Sequence, residues 1–177
     1  MEEQQLKINA KAPEFSADVF HNNQVKKINL KDYKGKWVIL FFYPADFTFI
    51  CPTELGDVAS HYGELQKLNT EVLSISTDTT FVHKAWFDHS PTIAKIAFPM
   101  VADPTAKICK AYGTYIPEEG LSLRGTFIID PNGVLKSAVV NDLPVGRSVD
   151  ETLRTLQALQ TGKLTGCEWK PGEKTLN

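Results

Sequence analysis

The chain has 177 residues and 19.7 kDa, and its 42 % hydrophobic and 10 % aromatic residues are enough for a proper core, which excludes disorder for the bulk. Its 19 basic and 21 acidic side chains leave a net charge of -2, which provides no electrostatic footprint for nucleic acid or an anionic membrane. Three cysteines, Cys51, Cys109 and Cys167, include no CxxC pair, so neither a disulfide-stapled module nor a zinc finger fits.

The opening Met1-Glu2-Glu3-Gln4-Gln5 has neither the basic start nor the apolar run of a secretory signal, and no apolar run approaches the ~20 residues that span a bilayer. A cytoplasmic protein is expected, and in a reducing compartment unpaired cysteines are either buried fillers or reactive thiols. A polar, turn-rich opening leads to Trp37-Val38-Ile39-Leu40-Phe41-Phe42-Tyr43, a continuous apolar run that predicts a strand buried on both faces. From Cys51 onward, Leu55, Val58, Ala59, Tyr62 and Leu65 recur at three- and four-residue steps, which predicts an amphipathic helix ending near Asn69. Glu71 to Ser76 reads as a short strand, Phe81 to Trp86 as helix and Phe98 to Val101 as another apolar piece. A short helix is expected next, opened by Asp103-Pro104 and ended by Gly113.

Arg124 to Asp130 and Val134 to Val140, joined by Pro131-Asn132-Gly133, give the strongest hairpin signal in the chain. A last helix, capped by Ser148 with Glu151 three residues later, carries Val149, Leu153, Leu156 and Leu159 before Gly162. The order β-α-β-α-β-α-β-β-α predicts an α/β fold on a mixed sheet. No repeat or composition break divides it, so one domain over 1–160 and a C-terminal tail over 161–177 are expected.

Cys51 lies between the buried strand and the first turn of the next helix. First-turn amides are unpaired and carry partial positive charge, so a sulfur there is favoured as the thiolate. Pro52 is tolerated just inside the helix because its missing N–H would be an orphan anyway. Thr48 can aim a hydroxyl at the sulfur, and Pro44 can shield it from water. The local pattern alone leaves two readings, a reactive thiol or a small buried hydrophobe. Glu54 stands where a CxxC motif has its second thiol. An oxidised Cys51 therefore needs a distant cysteine, one on another chain, or an external thiol to resolve it.

The string Phe42-Tyr43-Pro44-Ala45-Asp46-Phe47-Thr48-Phe49-Ile50-Cys51-Pro52-Thr53-Glu54 resembles the active-site signature of the typical two-cysteine peroxiredoxins, the alkyl hydroperoxide reductase C family. The resemblance continues through His83-Lys84-Ala85-Trp86, Phe98 to Asp103, Leu123 to Asp130 and Asn141 to Ser148, and so covers nearly the whole chain. It implies a thioredoxin-like fold, a mixed central sheet flanked by helices, and a thiol-dependent peroxidase. Cys51 matches the peroxidatic cysteine, whose thiolate is oxidised by peroxide to a sulfenic acid. Thr48 and Arg124 match the residues that hold the thiolate and the peroxide oxygens, Pro44 the residue that covers the site, and Glu54 one that orients the arginine. Arg147 ranks below Arg124 as a second positive neighbour. Cys167 matches the resolving cysteine, supplied by the partner subunit of a homodimer, with rings of such dimers implied. Recycling by thioredoxin or a flavoprotein disulfide reductase is implied, with no cofactor or metal.

Gly166-Cys167-Glu168-Trp169 departs from the family's Cys-Pro-x-x-Trp, being two residues tighter and without the proline. The chain also lacks a Tyr-Phe tail helix and a Gly-Gly-Leu-Gly insert, so resistance to over-oxidation at Cys51 is expected. Cys109 reads as core filler. His21, His61, His83 and His89 show no ligand spacing and are not assigned to a metal. Arg124, one of three arginines, opens an otherwise apolar strand, which favours a directional, always-charged donor. Two other functions compete: a general thiol–disulfide oxidoreductase, which the missing second thiol opposes, and a holdase chaperone in a higher assembly.

Overall fold

The computed structural model describes residues 6–177, so the opening Met1 to Gln5, read above for a targeting signal, lies outside the described residues. Strand β3, Trp37–Phe42, lies inside a seven-stranded sheet, paired on both edges, because its run WVILFF has an apolar side chain for each face. Ile39 and Phe41 enter one core, and Val38, Leu40 and Phe42 enter the other. Its neighbours are β4, Thr70–Ser76, which runs parallel, and β8, Arg124–Ile129, which runs antiparallel. Beyond β4 lie β5, Met100–Ala102, and the hairpin of β1, Ser16–His21, with β2, Gln24–Asn29. Beyond β8 lies β9, Leu135–Asn141, so the order is β2-β1-β5-β4-β3-β8-β9. The small pair β6, Tyr115–Ile116, and β7, Leu121–Ser122, stands apart.

Helices α1, Cys51–Lys67, α2, Thr80–His89, and α4, Val149–Thr161, cover one face of this sheet. Leu55, Val58, Tyr62 and Leu65 of α1 and Leu153 and Leu156 of α4 bury together there with Phe41 and Val72. The short α3, Lys107–Ala111, covers the other face through Ile108 and Cys109. The expected mixed sheet flanked by helices is present.

The sequence reading did not contain the β6–β7 pair, and it differs from the structure at two further places. The opening is a β-hairpin, with Asn22 and Asn23 at φ 52° and 58°, the left-handed pair that a tight two-residue turn requires. Its second strand is polar and mostly exposed, so it carries no apolar alternation. Asp103 and Pro104 do not open α3: they lie in a preceding turn, closed by Ala106 N–H on the Asp103 carbonyl at 2.8 Å. Asp103 still serves that helix, since its carboxylate accepts from Cys109 N–H at 2.8 Å. Ser148 does cap α4, accepting from Glu151 N–H at 3.2 Å.

Gly125 in β8 shows how closely the sheet is packed beside the strand's first residue. A Cβ there would lie 2.7 Å from Thr114 Cγ2 and 2.7 Å from the Phe127 ring. Gly125→Ala is expected to lower the urea unfolding midpoint by an amount equivalent to about 1–3 kcal/mol. An unchanged midpoint would contradict this close approach.

Candidate active site

The chain leaves β3 at Phe42 and enters α1 at Cys51 through a loop tied to the body of the protein. Tyr43 donates its hydroxyl to Asp46 Oδ1 at 2.6 Å, and Asp46 Oδ2 meets His83 Nδ1 of α2 at 2.7 Å. His83 Nε2 faces the Val101 carbonyl at 3.1 Å, and Asp46 N–H donates to Asp78 at 2.9 Å. A carboxylate and a carbonyl thus face the two ring nitrogens of a fully buried histidine. Burial works against charge on His83, but the hydrogen bond and charge of Asp46 outweigh it and raise its pKa. Sequence reading weighed His83 only as a metal ligand and missed this structural role. The signal was its place in the His83-Lys84-Ala85-Trp86 motif. Among the described residues, no group of three or more His, Cys, Asp or Glu side chains converges to hold a metal.

Cys51 is fully buried in the first turn of α1, and Glu54, one turn on, is 3 % exposed. Arg124 opens β8 with its guanidinium also buried, and its Nη1 donates to Cys51 Sγ at 3.4 Å and to Glu54 Oε2 at 2.8 Å. Its Nε donates to the Leu143 carbonyl at 2.6 Å, which fixes the plane of the fork. Arg147 holds Glu54 from the other side. Its main-chain N–H and Nε each donate to Oε1 at 2.9 Å, and Nη2 donates to Oε2 at 2.9 Å. The same guanidinium donates to the Gly125 carbonyl at 2.8 Å and lies 3.5 Å from the Phe41 ring centre.

Two guanidinium groups and one carboxylate leave a single excess positive charge beside the sulfur. Burial acts to raise the Glu54 pKa, yet the hydrogen bonds and charge of Arg147, with the charge of Arg124, hold it below the usual carboxylate value.

The remaining sequence candidates make no hydrogen bond to this cluster among the described residues. Pro44 is buried in the loop between β3 and α1. Thr48 is exposed, and its hydroxyl donates to the Ala45 carbonyl at 2.8 Å rather than to the sulfur, because the tight local turn brings that carbonyl within reach. Among the described residues nothing donates to its oxygen. Cys167 is an exposed free thiol in the tail, not brought to Cys51 within this chain. Cys109 is fully buried, and burial, then the charge of Asp103, pushes its thiol up to about 12, which keeps it protonated and inert.

The lowered Glu54 pKa fixes a pH dependence. Its contribution to stability is fully present above the unfolded carboxylate value near ~4.3 and is lost as pH falls through the lower folded value. Glu54→Gln is expected to cost about 3 kcal/mol at pH 7, because it leaves two buried cations short of a partner. Urea titrations should show that deficit shrinking as pH falls below ~4; a deficit constant with pH would contradict the buried ionised carboxylate.

The AhpC/TSA family profile matches residues 8–138. Alkyl hydroperoxide reductase C of Pseudomonas aeruginosa is 45 % identical over 174 residues, which cover 96 % of this chain and 93 % of that one. A chloroplastic 2-Cys peroxiredoxin of Hordeum vulgare is 47 % identical over 174 residues, covering 94 % of this chain and 83 % of that one. The crystal structure of Enterococcus faecalis AhpC superposes with a TM-score of 0.85 at 45 % identity, covering 87 % of this chain and 92 % of that one. Reduced 2-Cys peroxiredoxin of Plasmodium vivax superposes with a TM-score of 0.93 at 33 % identity, covering 97 % and 93 %. The fold is thioredoxin-like. The chain belongs to the AhpC/TSA family and is a peroxidase of the typical two-cysteine peroxiredoxin type.

Proposed function

We propose that the chain reduces hydrogen peroxide and organic hydroperoxides through Cys51 as the peroxidatic nucleophile. The observation that carries this reading is the Arg124 Nη1 to Cys51 Sγ contact of 3.4 Å, with the same nitrogen held by Glu54. The thiolate attacks the terminal peroxide oxygen. An S–O bond forms at Cys51 as the O–O bond breaks, and the departing oxygen takes a proton to leave as water or an alcohol. A fixed guanidinium at the sulfur stabilises negative charge as it moves onto the departing oxygen, with no reorganisation at the moment of reaction. Thr48 accepts a hydrogen bond from the peroxide through its free lone pairs, and Pro44 keeps bulk water from the sulfur. Glu54, bridged to Arg147, keeps the Arg124 fork aimed.

Cys167 of a second copy then attacks the sulfenic sulfur, water leaves, and an intermolecular disulfide joins the two chains of a homodimer. Thioredoxin or a flavoprotein disulfide reductase returns both thiols. Peroxide, two thiols and a protein electron donor suffice, without flavin, haem or metal. The proposed compartment is the cytoplasm, where the free thiols are kept reduced.

Single-turnover mixing with one equivalent of hydrogen peroxide tests both steps. Cys51→Ser should consume no peroxide above background. Cys167→Ser should consume it at the wild-type initial rate yet give no disulfide-linked dimer on a non-reducing gel. Wild-type turnover by Cys51→Ser would remove Cys51 from the reaction, and a surviving dimer band in Cys167→Ser would remove Cys167.

A further inference from the structure

Gly166-Cys167-Glu168-Trp169 forms a tight turn closed by Trp169 N–H on the Gly166 carbonyl at 3.2 Å, with Cys167 at its second position. Glu168, at the third, has φ 55°, a left-handed conformation that glycine adopts freely and a glutamate does not. Beyond the turn the tail folds on itself. Trp169 is 6 % exposed and its Nε1 donates to the Glu173 carbonyl at 3.1 Å, while Leu176 N–H donates to the Leu164 carbonyl at 2.8 Å.

Among the described residues, one hydrogen bond joins 164–177 to the rest of the chain: Arg154 Nη1 of α4 donates to the Trp169 carbonyl at 3.2 Å. Arg154 is itself held by Glu151, one turn earlier, through Nε to Oε2 at 2.6 Å and Nη2 to Oε1 at 2.7 Å. The Glu151 carboxylate therefore faces Arg154, whereas a full capping box would turn it back to the Ser148 amide. The Glu151 hydrogen bonds are the largest influence raising the Arg154 pKa, and the neighbouring Cys167 and Glu168 add to it.

A disulfide needs its two Cα atoms within ~7 Å. Cys167 is exposed on this turn while Cys51 is fully buried, so chain must move before the two sulfurs of a disulfide meet, and a pinned turn slows its own share of that movement. We propose that Arg154 is a positioning residue for the resolving thiol: with Glu151 it latches the Cys167 turn onto α4, and so sets the rate at which Cys167 leaves to meet the oxidised Cys51 of a second copy. This rests on the resolving role proposed for Cys167. The gated step converts a sulfenic acid and a thiol into a disulfide and water. An S–S bond forms, the S–O bond breaks, and the Cys167 proton leaves with the hydroxide. The latch and the strained Glu168 act in opposite senses, the one holding the turn and the other loosening it.

Rapid-quench gels and hydrogen exchange of 164–177 on the full-length protein test the latch. Arg154→Ala should leave peroxide consumption unchanged, raise exchange in the tail, and speed disulfide formation roughly five-fold, the worth of one lost hydrogen bond. Arg154→Lys, which keeps the charge but not the fork, should fall between. Glu168→Gly should relieve the strain, lower tail exchange and slow disulfide formation. Disulfide formation at the wild-type rate or slower in Arg154→Ala, with Cys167→Ser unable to form the dimer, overturns the latch and leaves the resolving role standing. A dimer band that survives in Cys167→Ser overturns both.

Discussion

A buried carboxylate held between two buried guanidinium groups is the constraint on which this structure turns. Glu54 alone would be costly to enclose, and so would either arginine. Together they satisfy one another through four hydrogen bonds from two residues, and they draw three separate pieces of chain to one point. Those pieces are the first turn of α1, the first residue of β8 and the segment leading into α4. The geometry around Cys51 is therefore a property of the tertiary fold as much as of the helix start on which the sulfur sits.

The unequal charge count gives this arrangement a chemical use. A balanced ion pair would have little further to offer a neighbouring sulfur, whereas two cations and one anion leave one positive charge beside Cys51. Arg147 spends its donors on Glu54, Gly125 and Thr126 and so leaves Arg124 as the guanidinium that touches the sulfur. On the other side, Tyr43, Asp46 and His83 fix the loop that delivers the chain to Cys51. The site is thereby held from both the sheet and α2, the prior support that the peroxidatic role proposed for Cys51 calls for.

What the sequence disclosed followed from the range of the interactions involved. The run from Trp37 to Tyr43, the hairpin through Asn132-Gly133 and the capped face of α4 are written in neighbouring residues, and they appear where expected. β2 was missed because an edge strand facing solvent needs no apolar alternation, and Asn22-Asn23 is a weaker signal than Asn-Gly. Asp103 looked like a helix cap because capping residues are recognised by type, while its contact with Cys109 N–H spans six positions. At the site, Cys51, Arg124 and Glu54 were legible from the motif and its resemblance. The clasp of Arg147 on Glu54 spans 93 positions, and that of His83 on Asp46 spans 37, distances at which only the folded sheet supplies proximity. The direction of the Thr48 hydroxyl was set by a turn whose dihedrals no residue pattern specified.

The central claim is that Glu54 acts on the sulfur through Arg124, which a double-mutant cycle on the second-order rate of Cys51 with hydrogen peroxide measures directly. Arg124→Ala should slow that rate by about 100-fold or more, the usual loss for one preorganised donor. Glu54→Gln should also slow it, while the double variant reacts about as fast as Arg124→Ala alone, because the carboxylate then has no fork to aim. Losses that multiply independently would show that Glu54 and Arg124 serve the thiol by separate routes.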